Sequence, residues 1–466
     1  MDLFIKNVRV ITENGSFEGG VAVDKGVIAQ ITGANGHVDA DETIDAEGLY
    51  LLPGIIDAHS HFSHPGREFE GFEAGTRASA AGGVTTAIDM PLADIPPMAT
   101  AKAHAAKYEM VKDLCVADYA FWGGLIDDNL EHLDEQNELG VVAYKAFMRR
   151  SSSYPKVDDG QLFTGLQKTA KFGNIVGVHA ENDTLIEHLE KRLKAEGRHD
   201  RMAWNDSHPI ESELEAINRA ILLAKAAASS LYIVHISWAG GVDTVREAAH
   251  RGQDVYAEVC AHHLCFDLDD YLRVGPRLRS APPIRSRPEV EELWDRVLRG
   301  KVDVIASDHS PFLPDLYKAG ENDVWQGTGG ITGIQSILPA IITEGVHMRG
   351  LSWELLVKMM SSNPARIFGI YPRKGAIVPG ADADFALVDP QKVWTLQTED
   401  LFYRYKESPY VGKEFCGRVE RTIVRGKTVF LEGKITADKG YGQLVRRESA
   451  THGRPLHKHQ QSVRHL

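Results

Sequence analysis

Only four cysteines occur among the 466 residues, Cys115, Cys260, Cys265 and Cys416. They are too few and too scattered for a disulfide scaffold. Cys260 and Cys265 stand close together, but no second close pair completes a structural zinc site. Nowhere do about 18 apolar residues follow one another, as a membrane-spanning helix requires. The amino terminus, Met1-Asp2-Leu3-Phe4-Ile5-Lys6, lacks a basic stretch leading into a long apolar run. A cytoplasmic protein with no membrane partner is the expectation. Positive charge is also in the minority: 52 Lys and Arg against 65 Asp and Glu give a net charge of −13. That balance favours solubility and offers no basic face to a phosphate backbone, which argues against nucleic acid as a ligand. A glycine-rich phosphate loop opening a helix after the first strand is missing too.

What is present is enough for a large core. Hydrophobic residues make up 43% and charged residues 25% of the chain, ordinary values for a globular protein. The length allows two or three domains, or one large barrel with an appendage. Residues 3–52 read as short Val- and Ile-rich strands, Leu3 to Ile11, Val21 to Ile31 and Glu42 to Leu52. Residues 375–436 have the same texture, with Asp384 to Val388 alternating and two strands around Arg425-Gly426-Lys427. Either flank alone is too small to bury a good core. The simplest expectation is one β-sandwich built from both, over residues 1–52 and 375–440. Between them, residues 53–374 alternate apolar runs with amphipathic helices. In Glu211 to Ala228, for example, Leu214, Ile217, Ile221 and Ala224 share a stripe. Repeated βα units over 300 residues suit an α/β class (β/α)8 TIM barrel, with a doubly wound sheet as the alternative. Residues 441–466 turn polar and contain His452, His457, His459 and His465. They read as a disordered or partner-packed tail rather than a metal site.

The interior histidines fall in a pattern. Gly54 to His61 is an apolar strand ending in His59-Ser60-His61, and residues two apart on a strand share a face. Such a pair alone serves equally as a metal site or as ordinary polar groups. Three further runs end in a potential ligand: Asn174 to His179, Leu231 to His235, and Val302 to Asp308. Singly, each histidine reads as a hydrogen-bonded core residue. Together they crowd the carboxyl ends of barrel strands, where barrel enzymes build their sites. Four histidines and an aspartate suit Zn²⁺ or a similar ion. Gly140 to Phe147 adds a strand read as ending in a lysine, Lys145, rather than a histidine. That lysine can reach solvent or pair with an acid. If desolvated, it loses its proton readily and adds CO₂, becoming a carbamate that can bridge two metals about 3.5–4 Å apart.

The order His-x-His, Lys, His, His, Asp resembles the binuclear amidohydrolases of cyclic amides: allantoinases, hydantoinases, dihydropyrimidinases and dihydroorotases. The resemblance spans about residues 3–440, including the return Gly375 to Asp384 into the terminal sheet. It implies two divalent cations, with zinc expected and cobalt, manganese, iron or nickel as alternatives. The implied ligands are His59, His61, Lys145 (as N6-carboxylysine), His179, His235 and Asp308. All six are present, so the resemblance implies an active enzyme rather than a non-catalytic, assembly-forming relative. It also implies a homo-oligomer, tetramer or dimer.

Local sequence looks most like the allantoinase branch. The carriers are His61 to Arg67, Glu70 to Ala78, and Tyr403 to Gly412. Dihydropyrimidinases and D-hydantoinases typically place a tyrosine where this chain has Arg150, and dihydroorotases an arginine where it has Ser63. L-hydantoinases, acting on 5-substituted hydantoins, remain the alternative. Two segments depart from the allantoinase pattern: Cys260-Ala261-His262-His263 replaces Cys-Pro-His-Tyr, and Gln326 to Gly330 lacks a Trp-Gly-Gly. The implied reaction is opening of a hydantoin-type ring, allantoin plus water giving allantoate in purine catabolism. Asp308 would take a proton from the nucleophile and deliver it to the departing ring nitrogen, or serve as a ligand only. Ser280, Ala281, Thr328 and Gly329 are expected around the imide edge of the ring. Arg67 contacts the ureido arm of the substrate or pairs with Glu68 or Glu70.

Overall fold

The computed structural model describes residues 1–62, 69–151 and 154–447. Five strands open the chain: β1 (Leu3–Thr12), β2 (Gly15–Asp24), β3 (Val27–Gly33), β4 (Glu42–Asp45) and β5 (Tyr50–Pro53). Nine short ones follow: β6 (Ile55–Ser60), β7 (Val84–Asp89), β8 (Asp118–Phe121), β9 (Gly123–Gly124), β10 (Tyr144–Phe147), β11 (Ile175–His179), β12 (Ser230–Ile233), β13 (Val255–Cys260) and β14 (Val304–Ala306). The last four are β15 (Phe385–Thr395), β16 (Glu414–Val424), β17 (Lys427–Leu431) and β18 (Lys434–Ile435).

The first and last groups form one nine-stranded sheet, in the order β18-β17-β16-β15-β5-β1-β2-β3 with β4 on β1. Its inner face holds Ile5, Val8, Val10, Val23, Phe385, Leu387 and Ile423 in a core shared by both chain ends. The run Val21 to Ile31 is not one strand. Lys25 and Gly26 have φ of 50° and 78°, so the chain reverses there and β3 pairs back antiparallel onto β2.

The middle group forms the barrel. Parallel pairing runs β6-β7-β8 and β9-β10-β11-β12-β13-β14. Only Trp122 separates β8 from β9, so they make one barrel strand, and a parallel bridge from Ser60 to His309 closes the ring. Eight strands result. Both faces of each are covered, which is why they read as near-continuous apolar runs rather than alternating ones. Trp122, Tyr232 and Phe368 fill the barrel interior, and the Trp122 indole donates to Ala58 O at 3.0 Å. The helix Ile210–Ala227 buries Ile217, Ile221 and Ala224 as the periodicity predicts. Leu214 sits at the margin, because Ala216 and Ala220 occupy the face that approaches the barrel most closely.

At the barrel foot, Lys374 Nζ lies 2.6 Å from Asp118 and 2.7 Å from Asp384, tying β8 to the entry of β15. Residues 441–447, read from sequence as the start of a disordered or partner-packed tail, cross this foot and pack on it. Gly442 N donates to Cys115 O, Val445 N to Tyr119 O, and Val445 is buried. His452, His457, His459 and His465 lie outside the described residues. Among the described residues no helix is long and apolar enough to cross a membrane.

Candidate active site

All six side chains singled out in the sequence are part of barrel strands or follow them within two residues. His59 lies in β6 and His61 just past it, Lys145 in β10, His179 at the end of β11, and His235 and Asp308 two residues beyond β12 and β14. Lys145 is the second residue of its strand rather than its last. The strand starts late because Gly140, at φ 80°, still belongs to the preceding turn. His235 and Asp308 adopt φ of 41° and 46°. Left-handed backbone at a non-glycine residue costs about 1–3 kcal/mol, and here it turns both side chains inward over the barrel mouth.

There the donors meet. His59 Nε2 and His61 Nε2 are 3.1 Å apart, and Asp308 Oδ1 lies 3.2 Å from the first and 3.1 Å from the second. In a second group, His179 Nδ1 and His235 Nε2 are 2.9 Å apart. All six residues line one cavity of about 420 Å³.

The outward-facing nitrogens explain how the rings are held. His59 Nδ1 faces Glu258 Oε1 at 2.7 Å, and His61 Nδ1 faces Met90 O at 2.7 Å. Both acceptors require the proton on Nδ1, which leaves the lone pair of each Nε2 aimed at the other and at the Asp308 carboxylate. Three electron-rich atoms directed at one point repel unless a cation lies among them, so the donor set fits a divalent metal. His179 is held in the same way, its Nε2 donating to Glu181 Oε2 at 2.7 Å. Its Nδ1 is thereby left as a lone pair towards His235, whose own Nδ1 has no partner among the described residues. Burial pushes His59, His179 and His235 down in pKa, so all three are neutral at pH 7 and able to ligate.

Lys145 is 1% exposed and makes no hydrogen bond or ion pair among the described residues. Its Nζ stands 4.7 Å from the centre of the Phe147 ring. Burial pulls its pKa down to about 8, against a weaker opposing pull from Asp308 and Glu258. A reactive free amine is therefore accessible near neutral pH.

Sequence reasoning missed the residues beneath these donors. Glu258 accepts from His59, from the His235 backbone N–H at 2.8 Å and from the Tyr232 hydroxyl at 2.8 Å. Glu181 receives Arg149 as well as His179; burial opposes its ionisation, but those partners hold its carboxyl well below the usual range. Asp57 accepts from the Ser307 N–H and hydroxyl, pinning the turn before Asp308, and burial raises its pKa to about 7. The available signal was an acid inside an otherwise apolar strand for Asp57 and Glu258, and an acid two residues after His179 for Glu181.

The outer cavity differs from its floor. Ser280, Ala281, Thr328 and Gly329 line it, as expected of substrate contacts. Arg67 lies outside the described residues. Trp204 donates to Ser280 O at 2.8 Å, with Arg279 stacked 3.8 Å over its ring and Arg149 at 5.4 Å. Trp325 supplies the indole that Gln326 to Gly330 lacks, only one residue upstream, and it too lines the cavity. Arg150 is held at the rim by Asp183 and Glu187.

The amidohydrolase family model matches residues 50–429. An allantoinase from Rubrobacter xylanophilus is 45% identical over 448 residues, covering 96% of this chain and 97% of that one. An allantoinase from Escherichia coli is 40% identical, covering 94% and 98%. The solved L-hydantoinase of Arthrobacter aurescens superposes with a TM-score of 0.94 at 35% identity, over 96% of this chain and 100% of that one. Sequence, fold and site agree, and the chain belongs to the amidohydrolase family.

Proposed function

We propose that this enzyme opens a cyclic amide of the hydantoin type, with allantoin as substrate and allantoate as product in purine catabolism. The observation that carries the reading is the convergence of His59, His61, Lys145, His179, His235 and Asp308 on one cavity. The full-length similarity to allantoinases supports the choice of substrate. His59, His61 and Asp308 would hold one divalent cation, His179 and His235 a second, and Lys145, carbamylated by CO₂, would serve both. Zinc is the expected ion, and cobalt, manganese, iron or nickel suit the same donors. When bound, the pair supplies a strong nucleophile at neutral pH by lowering the pKa of water, and polarises the scissile carbonyl.

The remaining work falls to the protein. Asp308 Oδ1 accepts the proton of the attacking nucleophile and passes it to the ring nitrogen as that bond breaks. Glu258 and Glu181 keep His59 and His179 in the required tautomers. Ser280, Ala281, Thr328 and Gly329 border the ring through backbone polar groups, while the outer wall of Trp204, Arg149, Arg279 and Trp325 meets the exocyclic arm. That wall sets the guanidinium groups of Arg149 and Arg279 beside indoles whose N–H groups are already bound to Ser280 O and Arg198 O, and its charge favours a polar ureido arm over an aryl group. A homo-oligomer, tetramer or dimer, in the cytoplasm completes the reading; the buried free thiols of Cys115, Cys260 and Cys265 suit a reducing compartment.

The alternative is an L-hydantoinase, favoured by the fold similarity to that enzyme. Turnover of allantoin and of a 5-aryl hydantoin by metal-loaded protein separates the two. The allantoin reading expects kcat/KM at least about tenfold higher for allantoin, the scale of one well-matched polar contact. A preference for the aryl compound would overturn it.

A further inference from the structure

Beside the catalytic cavity lies a group of side chains for which ring opening has no use. Cys260 ends β13, and His262 and His263 follow in the helical turn Ala261–Cys265. The Cys260 thiol and one ring nitrogen from each histidine lie within 4.8 Å of one another, and all three residues are buried. Among the described residues Nδ1 of His263 has no hydrogen-bond partner, and the His262 ring, with neither nitrogen in a well-formed hydrogen bond, meets only the Ser307 backbone. The other His263 nitrogen, Nε2, faces Pro282 O at 3.2 Å, so its free Nδ1 presents a lone pair. Buried polar atoms left poorly paired in this way are costly, and their gathering around one thiol calls for a common partner.

We propose that Cys260, His262 and His263 form a further cation site, separate from the catalytic pair and selective for thiophilic ions such as Zn²⁺, Co²⁺ or Cd²⁺. One sulfur and two imidazole donors match the ligand chemistry of those ions and not that of Mg²⁺ or Ca²⁺. On binding, the Cys260 S–H bond is replaced by a metal–sulfur bond and one proton leaves to solvent; the imidazoles give lone pairs and release none. No redox change is involved. Three protein donors leave a fourth position open. The negative charge of Glu258 nearby offsets repulsion from cations in the main cavity, since Cys260 also lies within 4.8 Å of donor atoms of Glu258 and His59.

Titration of the metal-stripped, full-length protein with Co²⁺ tests the site without reference to activity. The expected result is a third bound equivalent, together with a near-ultraviolet sulfur-to-cobalt charge-transfer band that the thiol-free catalytic pair cannot produce. Cys260→Ser and His263→Asn are each expected to lose the band and one equivalent while keeping two. Saturation of the wild type at two equivalents without the band overturns the proposal and leaves the catalytic reading standing. A band that survives His263→Asn also overturns it, because the thiol then serves another ion. Failure to take up any cobalt contradicts both readings.

Discussion

Glu258 Oε1 stands 2.7 Å from His59 Nδ1 and 2.8 Å from the backbone nitrogen of His235. One fully buried carboxylate thus fixes the orientation of a ring on the first barrel strand and of the turn after the sixth. The two halves of the donor set are located by the same group. Replacing it with glutamine keeps the shape but turns one of its acceptors into a donor. Glu258→Gln is expected to lose about 10–100-fold in metal affinity or turnover, read by equilibrium dialysis and steady-state rates. Unchanged values would show that His59 needs no such support.

Asp308 separates a proton-transfer role from simple ligation. Asp308→Asn retains an oxygen donor but cannot carry a proton. The expected loss in kcat is about 10²–10⁴-fold, persisting at saturating divalent cation. If added cation restores the rate, Asp308 acts as a ligand alone.

Removal of metal reaches both activity and stability. Dialysis against a chelator is expected to abolish turnover and lower Tm, and added Zn²⁺ or Co²⁺ to restore both. A cation bound only by the folded protein at 100 times its Kd stabilises by about 2.7 kcal/mol. A stripped protein with native Tm and rate would contradict the proposed centre.

A pH effect is expected far from the site. Burial depresses the pKa of His104 to about 4, with its Nε2 3.2 Å from Gln136 Oε1. Unfolded, the ring titrates near 6.5, so between those values the unfolded chain binds the extra proton. Stability therefore falls as pH drops from about 6.5 to about 4 and levels off below, by about 3 kcal/mol from this group. Urea denaturation of wild type and His104→Gln should show a shallower acid limb in the variant. Equal slopes would contradict a neutral buried His104.

The parts of the site that could be read from sequence share one property: each histidine lies at or just past the carboxyl end of a buried strand. An apolar run fully covered in a barrel leaves little doubt about where the next polar residue emerges, which is why His59, His179 and His235 were legible. Glu258 was not, because its partners come from other strands and the acid looks like a local interruption of apolar sequence; Glu181 was not, because it lies past the end of β11 among polar residues. The hairpin at Lys25-Gly26 was missed for a different reason: a two-residue reversal leaves the apolar count on either side unbroken. The packing of residues 441–447 rests on backbone hydrogen bonds to Cys115 and Tyr119, which composition does not encode.

The central claim is that Lys145, in carbamylated form, joins two cations. Elemental analysis and allantoin turnover of Lys145→Ala, with and without short carboxylic acids, test it most directly. The account predicts that cation content falls below two per chain and that the rate drops by more than about 100-fold, beyond the loss expected from a supporting partner, with partial recovery when a short carboxylate supplies the missing oxygens. A variant that keeps two cations and the full rate would contradict it.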